Sequence, residues 1–242
     1  GADPVARVLV TRPEPDASIT AGSLRQRGHV PLVLPLSAVG GIEADWPEAD
    51  AVDVVAVTSA NALRHAPAVR LEALRGLPCH CVGERTAAAA RQAGFTSIDI
   101  ANGYGQDMAR RMVARFSSGT RVLYLCGRVR HDAFEAGLAA ARLDCTPVET
   151  YETVFPAPDT TTVQELCAGG PPDVALAYSA RGADALAALA ERDEIAPLFA
   201  AMRVACLSPA VAGRLSGKGA WPILVSPTPD EAALLDLLDS LP

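Results

Sequence analysis

DVVAVTSA at residues 53–60 and DVALAYSA at residues 173–180 align without a gap. Each begins on an aspartate, runs through an unbroken apolar stretch and ends in Ser-Ala at the start of an alanine-rich segment. A short apolar run bounded in this way reads as a strand buried on both faces. The serine that follows suits the cap of the next helix. One such strand–helix unit stands in each half of the chain, so the sequence is best read as a repeat.

The pattern extends outward from these two stretches. RVLV at 7–10 and RVLY at 121–124 each open an earlier strand, followed by a polar turn and an Ala/Leu-rich helix over 16–27 and 132–142. Leu24 and Leu138 keep the same spacing from Arg7 and Arg121. Further apolar strands follow at 31–36 and 146–151. Downstream, CVGERTA at 81–87 pairs with CLSPAVA at 206–212, each leading through an Ala-rich helix to a glycine, Gly94 and Gly219. Closing helices are expected over 106–116 and 230–241, the second capped by Pro229-Asp230.

A plain tandem would divide at Ser117-Ser118-Gly119, but the longer irregular stretches lie elsewhere. They are 37–50, with Gly40-Gly41, and 155–172, with Gly169-Gly170-Pro171-Pro172. Both follow the first unit of their copy, which predicts an exchanged arrangement. Residues 1–36 join 155–242 in one domain, and 37–154 form the other as an insertion.

Strand–helix alternation with apolar strands predicts parallel sheets covered on both faces, and such sheets bind ligands at the C-terminal ends of their strands. Those ends carry Thr11-Arg12-Pro13, Thr58-Ser59, Gly83 to Thr86, Gly127-Arg128, Ser179-Ala180 and Ser208. Hydroxyls and helix N-terminal amides at these places suit carboxylate or phosphate groups, although the same residues also serve as helix caps. The expected working site is a cleft between the two domains.

Composition closes off several classes. A net charge of −7 speaks against a broad nucleic-acid-binding face, while leaving room for a local pocket that takes an anionic small molecule. Lys218 is the only lysine and sits in Ser216-Gly217-Lys218-Gly219, which fits neither a P-loop nor a Schiff-base site. No GxGxxG follows a strand, and Asn102-Gly103-Tyr104-Gly105 reads as a turn, against a nicotinamide-dependent oxidoreductase. Cys79-His80-Cys81 has the look of a metal cluster, but strand alternation turns His80 away from both thiols, and no metal site is expected. The other four cysteines read as small buried hydrophobes. No run approaches the length of a membrane helix, and Gly1-Ala2-Asp3-Pro4 lacks the regions of a signal peptide. A soluble cytoplasmic protein is expected.

Taken together, VLVTRPEPDA, VVAVTSANAL, CVGERTAAAARQAGF, VLYLCGRVRHD, VETYETV, VALAYSARGADAL and SPTPDEAALLDLL occur in an order and spacing that resemble the uroporphyrinogen-III synthase family over essentially the whole chain. The resemblance implies two small flavodoxin-like α/β domains related by duplication and joined by a two-stranded connector, here Leu34 to Leu36 and Thr150 to Val154. It implies a monomeric lyase that closes hydroxymethylbilane, a linear tetrapyrrole with many carboxylates, into uroporphyrinogen III. The terminal hydroxyl leaves as water and the last pyrrole ring is inverted, through a spirocyclic intermediate and with no metal or organic cofactor. Left alone, the substrate closes without inversion, so holding it in the right geometry is the enzyme's main task. Transient handover from the preceding pathway enzyme, and no nucleic-acid or membrane partner, belong to the same expectation.

Within VETYETV, Tyr151 matches the family's recurrent tyrosine and is the candidate proton donor to the departing hydroxyl, since a phenol is protonated at neutral pH. Arg12 and Arg128 are the candidate charged contacts to the substrate's carboxylates. One departure stands out: Val211-Ala212 occupies a place where many family members read Thr-Ala, so a hydroxyl contact there falls to Ser208 or is lost. A non-catalytic two-domain binding module, a small-molecule sensor, is the competing reading.

Overall fold

The structure is a computed structural model, which describes residues 5–102, 104–218 and 221–241. The chain runs β1 (Arg7–Val10), α1 (Asp16–Gln26), β2 (Val30–Val33), β3 (Ala38–Gly41), β4 (Val54–Val57), α2 (Ala60–Arg64), α3 (Ala68–Leu74) and β5 (Cys79–Val82). It continues through α4 (Glu84–Gln92), β6 (Ile98–Ala101), α5 (Gly105–Arg115), β7 (Arg121–Gly127), α6 (Ala133–Ala140), β8 (Asp144–Val154) and α7 (Thr160–Leu166). The last stretch holds β9 (Val174–Ala177), α8 (Ala180–Ala190), α9 (Ala196–Phe199), β10 (Arg203–Cys206), α10 (Pro209–Leu215), β11 (Ile223–Val225) and α11 (Glu231–Asp236).

These elements form two compact units, Gly1–Ala38 with Val154–Pro242, and Val39–Thr153. The first holds a five-stranded sheet in the order β11-β10-β9-β1-β2, parallel throughout. The second holds a six-stranded sheet, β3-β8-β7-β4-β5-β6, parallel from β8 to β6. The molecule is thus α/β with parallel-dominated sheets. Central strands carry apolar side chains on both faces because helices cover both. Val8 and Val10 share one core with Leu24, Leu234 and Leu238, while Leu9 shares another with Leu186, Val204 and Phe199. In the second unit Val55 and Val57 lie with Leu63 and Phe95, and Val54 and Ala56 with Met108, Met112 and Tyr124. Each fully buried Val or Leu contributes about 1.5–3 kcal/mol, enough for four-residue strands to hold.

The same local device starts the central strands of both sheets. Asp53, just before β4, accepts the Arg121 N–H at 2.8 Å and donates its own N–H to the Arg121 carbonyl at 2.9 Å. Asp173, just before β9, accepts the Arg7 N–H at 2.7 Å and donates to the Arg7 carbonyl at 2.8 Å. Each aspartate thereby fixes the register of its strand against a neighbour that opens on arginine.

Several expected boundaries move. Leu34 to Leu36 is not a strand, although Leu34 and Leu36 are buried. The strand comes later, at Ala38–Gly41, inside the stretch expected to be irregular, and Ile42 donates its N–H to the Thr150 carbonyl beside it. Pairing with β8 imposes the strand there despite two glycines that weaken strand propensity. Thr150 to Val154 is extended as expected, but as the end of an 11-residue strand. The closing helix is a short α11 followed by a 3-10 turn at Leu237–Ser240, and Asp230 caps it by accepting from Ala233 N–H at 2.8 Å. Gly94, at φ +97°, ends the turn after α4, whereas its expected counterpart Gly219 lies outside the described residues. No helix of the described residues is long and apolar enough to cross a membrane.

Candidate functional site

In the six-stranded unit the C-terminal strand ends frame a cavity of about 590 Å³. Thr58 and Ser59 enter it from the end of β4, Tyr124 from β7, Tyr151 from β8, and Arg130 and His131 from the loop before α6. Apolar atoms dominate its wall, with Val82, Val129, Phe134 and Tyr104 among the contributors. A larger groove of about 790 Å³ runs along α5 and α6, but alanines make up most of its lining and it offers little chemistry.

The position of Tyr151 follows from an irregularity in the sheet. β7 and β8 pair in step up to Cys126 with Glu149, and then the register shifts so that Gly127 faces Tyr151. A bulge of this kind re-aims the side chain that follows it. Thr150, the extra residue, turns inward and its hydroxyl donates to the Ala62 carbonyl at 2.7 Å. The Tyr151 ring then lies over Gly127, so closely that a Cβ there would fall 2.6 Å from Cζ and 2.9 Å from Oη. Only glycine leaves this space. The ring also lies near His65, with centroids 6.3 Å apart. Among the described residues no group hydrogen-bonds the Tyr151 phenol, which stands in the cavity wall.

Opposite behaviour marks Tyr124. Its hydroxyl is 2.9 Å from the Thr58 hydroxyl, its ring packs on Phe134 at 4.6 Å, and burial pushes its phenol up to about 12. It therefore stays protonated throughout the working range. Ser59 caps α2 by accepting the Asn61 N–H at 3.3 Å. Arg128 is half exposed and pairs with Glu152 at 2.6 Å. Gly83, at φ +77°, needs glycine for the left-handed turn into α4, and Thr86 is buried in that helix; neither lines the cavity.

The remaining candidates belong to the five-stranded unit. Thr11 is buried, and its carbonyl accepts the Leu36 N–H at 3.0 Å. Arg12, the candidate contact for substrate charge, is engaged within the unit. It donates to Glu231 at 2.9 Å and to Thr20 at 3.2 Å, and its guanidinium lies 4.0 Å above the Tyr178 ring. The same Glu231 oxygen accepts from Tyr178 and from Thr20, both at 2.7 Å. Glu231 lies 219 residues from Arg12 in the chain, a separation no local pattern reveals. Ser179 caps α8 by accepting from Gly182 at 3.0 Å, with Ala180 as the first helical residue. Ser208 caps α10 by accepting from Val211 at 3.4 Å. The Val211 side chain is buried, as is that of Thr86, so the departure from Thr falls at a packed position.

Strand alternation disposes Cys79-His80-Cys81 as its spacing predicts. The two thiols lie together at 3.7 Å, while His80 meets Phe116 edge-on at 5.4 Å and Asp99 at 3.4 Å. Burial pushes His80 below its ordinary value, favouring the neutral ring. Sequence reasoning missed Tyr124, Arg130, His131 and Tyr104. Two of these stand in GRVRHD, where a loop that follows a strand end and precedes a helix was itself the available signal.

The family model described as HEM4, uroporphyrinogen-III synthase HemD, matches residues 18–236. The chain is similar in fold to uroporphyrinogen-III synthetase from Helicobacter pylori 26695, with a TM-score of 0.69 at 17% identity over 99% of this chain and 100% of that one. A mutant uroporphyrinogen III synthase from the extreme thermophile Thermus thermophilus gives a TM-score of 0.54 at 17% identity over 96% of each chain. No curated protein matches by sequence.

Proposed function

The chain belongs to the uroporphyrinogen-III synthase family, and from that premise we infer how it closes hydroxymethylbilane to uroporphyrinogen III. The observation that carries the reading is the Tyr151 phenol, set over Gly127 in the cavity wall with no hydrogen bond of its own among the described residues. As the pyrrole nitrogen pushes electrons toward the hydroxymethyl carbon, the C–O bond breaks, Tyr151 gives its proton to the departing oxygen, and water leaves. The electrophilic carbon is then attacked by the substituted carbon of the last ring, which gives the spirocycle. The bond from that carbon to the neighbouring ring's methylene then breaks, and the methylene is captured by the last ring's free α-carbon. The proton lost as that pyrrole regains aromaticity replaces, through solvent, the one Tyr151 gave. The aromatic and apolar wall holds a pyrrole ring, and the hydroxyls of Thr58 and Ser59 take one of its acidic arms. Arg128, Gly83, Thr86 and, in the other unit, Thr11, Arg12, Ser179, Ala180 and Ser208 remain the further candidates for the many carboxylates.

The step needs a proton donor and no change of oxidation state, which supports a reaction without metal or organic cofactor. Because the free substrate closes spontaneously to the wrong isomer, a short transit from the preceding enzyme in the cytoplasm suits it. We also infer that the two units descend from one duplicated unit whose first strands are exchanged. The matching Asp53–Arg121 and Asp173–Arg7 devices support this, since each joins the second unit of one sequence copy to the first unit of the other.

The test is to supply freshly made hydroxymethylbilane and resolve the isomers. Type III product from the wild type, and a fall in kcat of roughly a hundredfold in Tyr151→Phe with an unchanged unfolding midpoint, are expected. Only type I isomer from the wild type, as in the protein-free control, would leave a binding module in place of an enzyme. Wild-type turnover by Tyr151→Phe would remove the phenol from the chemistry.

A further inference from the structure

We infer that Arg130 is a positioning residue for Tyr151, an assignment that rests on the catalytic reading of that phenol. Arg130 makes a two-pronged contact with Glu135 in the first turn of α6, Nε to Oε2 at 2.8 Å and Nη2 to Oε1 at 3.2 Å. Its Nη1 donates in two further directions, to Glu149 on β8 at 2.8 Å and to the Gly127 carbonyl at the end of β7 at 3.1 Å. One guanidinium thus ties together the three segments that meet at the bulge.

Two of its partners control the phenol directly. Gly127 is the surface on which the Tyr151 ring rests, and Glu149 is the last residue in step before the register shift that turns Tyr151 toward it. The Arg128 N–H, next along the loop, donates to the Tyr151 carbonyl at 2.9 Å and completes the clamp on the tyrosine's backbone. The Arg130 side chain is about one-fifth exposed and its charge is met by two carboxylates. That makes it ill suited to gripping a substrate's acidic arm and well suited to fixing local geometry. A planar fork holds three directions at once, which a lysine ammonium on a flexible stem does not. A shift of about an ångström in a reacting group is enough to cost turnover heavily.

The experiment is a double-mutant cycle with hydroxymethylbilane, reading kcat, KM and isomer ratio. Arg130→Gln alone is expected to lower kcat about tenfold with KM within about twofold, and to raise the share of type I isomer. Added to Tyr151→Phe it is expected to lower kcat no further, because the group it positions is gone. Arg130→Lys, which keeps the charge without the fork, should recover part of the turnover. Should Arg130→Gln not fold, Glu149→Gln removes the charge that Arg130 meets on β8, along with a longer 3.7 Å pairing to Arg128, and is expected to show the same non-additivity at smaller size.

Equal losses in the wild-type and Tyr151→Phe backgrounds would overturn the assignment while leaving the phenol's role intact. So would a raised KM at unchanged kcat, which would make Arg130 a substrate contact. Wild-type turnover by Tyr151→Phe overturns both readings together.

Discussion

At the end of β9, Tyr178 donates to Glu231, which also holds Thr20 and Arg12, and the guanidinium of Arg12 lies on the tyrosine's ring. At the corresponding end of β4, the Thr58 hydroxyl meets that of Tyr124 in the wall of an open cavity, and the Tyr151 phenol stands in the same wall with no hydrogen bond among the described residues. Both ends begin from the same Asp-to-Arg register lock. One has satisfied its polar groups internally, and the other leaves the Tyr151 phenol without a hydrogen-bond partner among the described residues. A shared strand pattern therefore does not fix the polar pairing at its end, which the side chains on the following loops decide.

The largest expected effect of a single change comes from closing the space under Tyr151. Gly127→Ala places a methyl group where the ring now lies and should lower kcat about a hundredfold, with a smaller change in the urea midpoint. A wild-type rate would show that the ring's present position is not the working one. On the other side of the comparison, Glu231→Ala leaves Tyr178, Thr20 and Arg12 without their common acceptor. A loss of about 2 kcal/mol in urea unfolding is expected, far exceeding any change in kcat once folded protein is assayed. A pure loss of kcat at full stability would mean that this end, too, serves the reaction.

Tyr124→Phe tests the middle ground, removing one hydroxyl-to-hydroxyl bond at a cost of about 1 kcal/mol. Thermal unfolding should register it, and KM should rise modestly as the Thr58 hydroxyl loses its fixed orientation.

The smallest effect concerns the two register locks. Arg121 forks onto Asp53 at 2.8 and 3.1 Å, whereas the Arg7 side chain turns away to the Gly170 carbonyl. The Arg121 contact lowers the Asp53 carboxyl from its ordinary 3.8 to about 2. A depressed carboxyl contributes stability above its ordinary value and loses it as pH falls toward 2. Asp53→Asn should flatten that part of the acid limb of a denaturant-midpoint profile, and an unaltered limb would remove Asp53 from the acid response.

Much of the scaffold was legible because its signals are local. Val54 to Val57 and Val174 to Ala177 announce buried strands by composition, and Asp230 announces a helix start by its place before an apolar run. The strand at Ala38–Gly41 was not legible, since its formation depends on an edge supplied by residues about a hundred positions later. Among the residues that line the cavity, Thr58 and Ser59 could be found from the strand end alone, and Tyr151 from family resemblance. The engagement of Arg12 by Glu231, and the clamp at Arg130, depend on side chains brought together by tertiary packing. A bulge at Cys126/Gly127 leaves no trace in composition beyond a glycine whose need arises only once the ring above it is known.

The placement of β1 between β2 and β9 bears on how the molecule is made. While the chain leaves the ribosome, the unit of Val39–Thr153 has every strand it needs before any of Val154–Pro242 has been translated. The strand–helix–strand segment β1 to β2 meanwhile waits with one flank of β1 unpaired until β9 is synthesised, a delay on the order of ten seconds at typical translation rates. During that interval an apolar strand edge is open to any other nascent chain. Crowded, fast overexpression should therefore favour inclusion bodies seeded from the N-terminal strand, and slower translation at low temperature should relieve them.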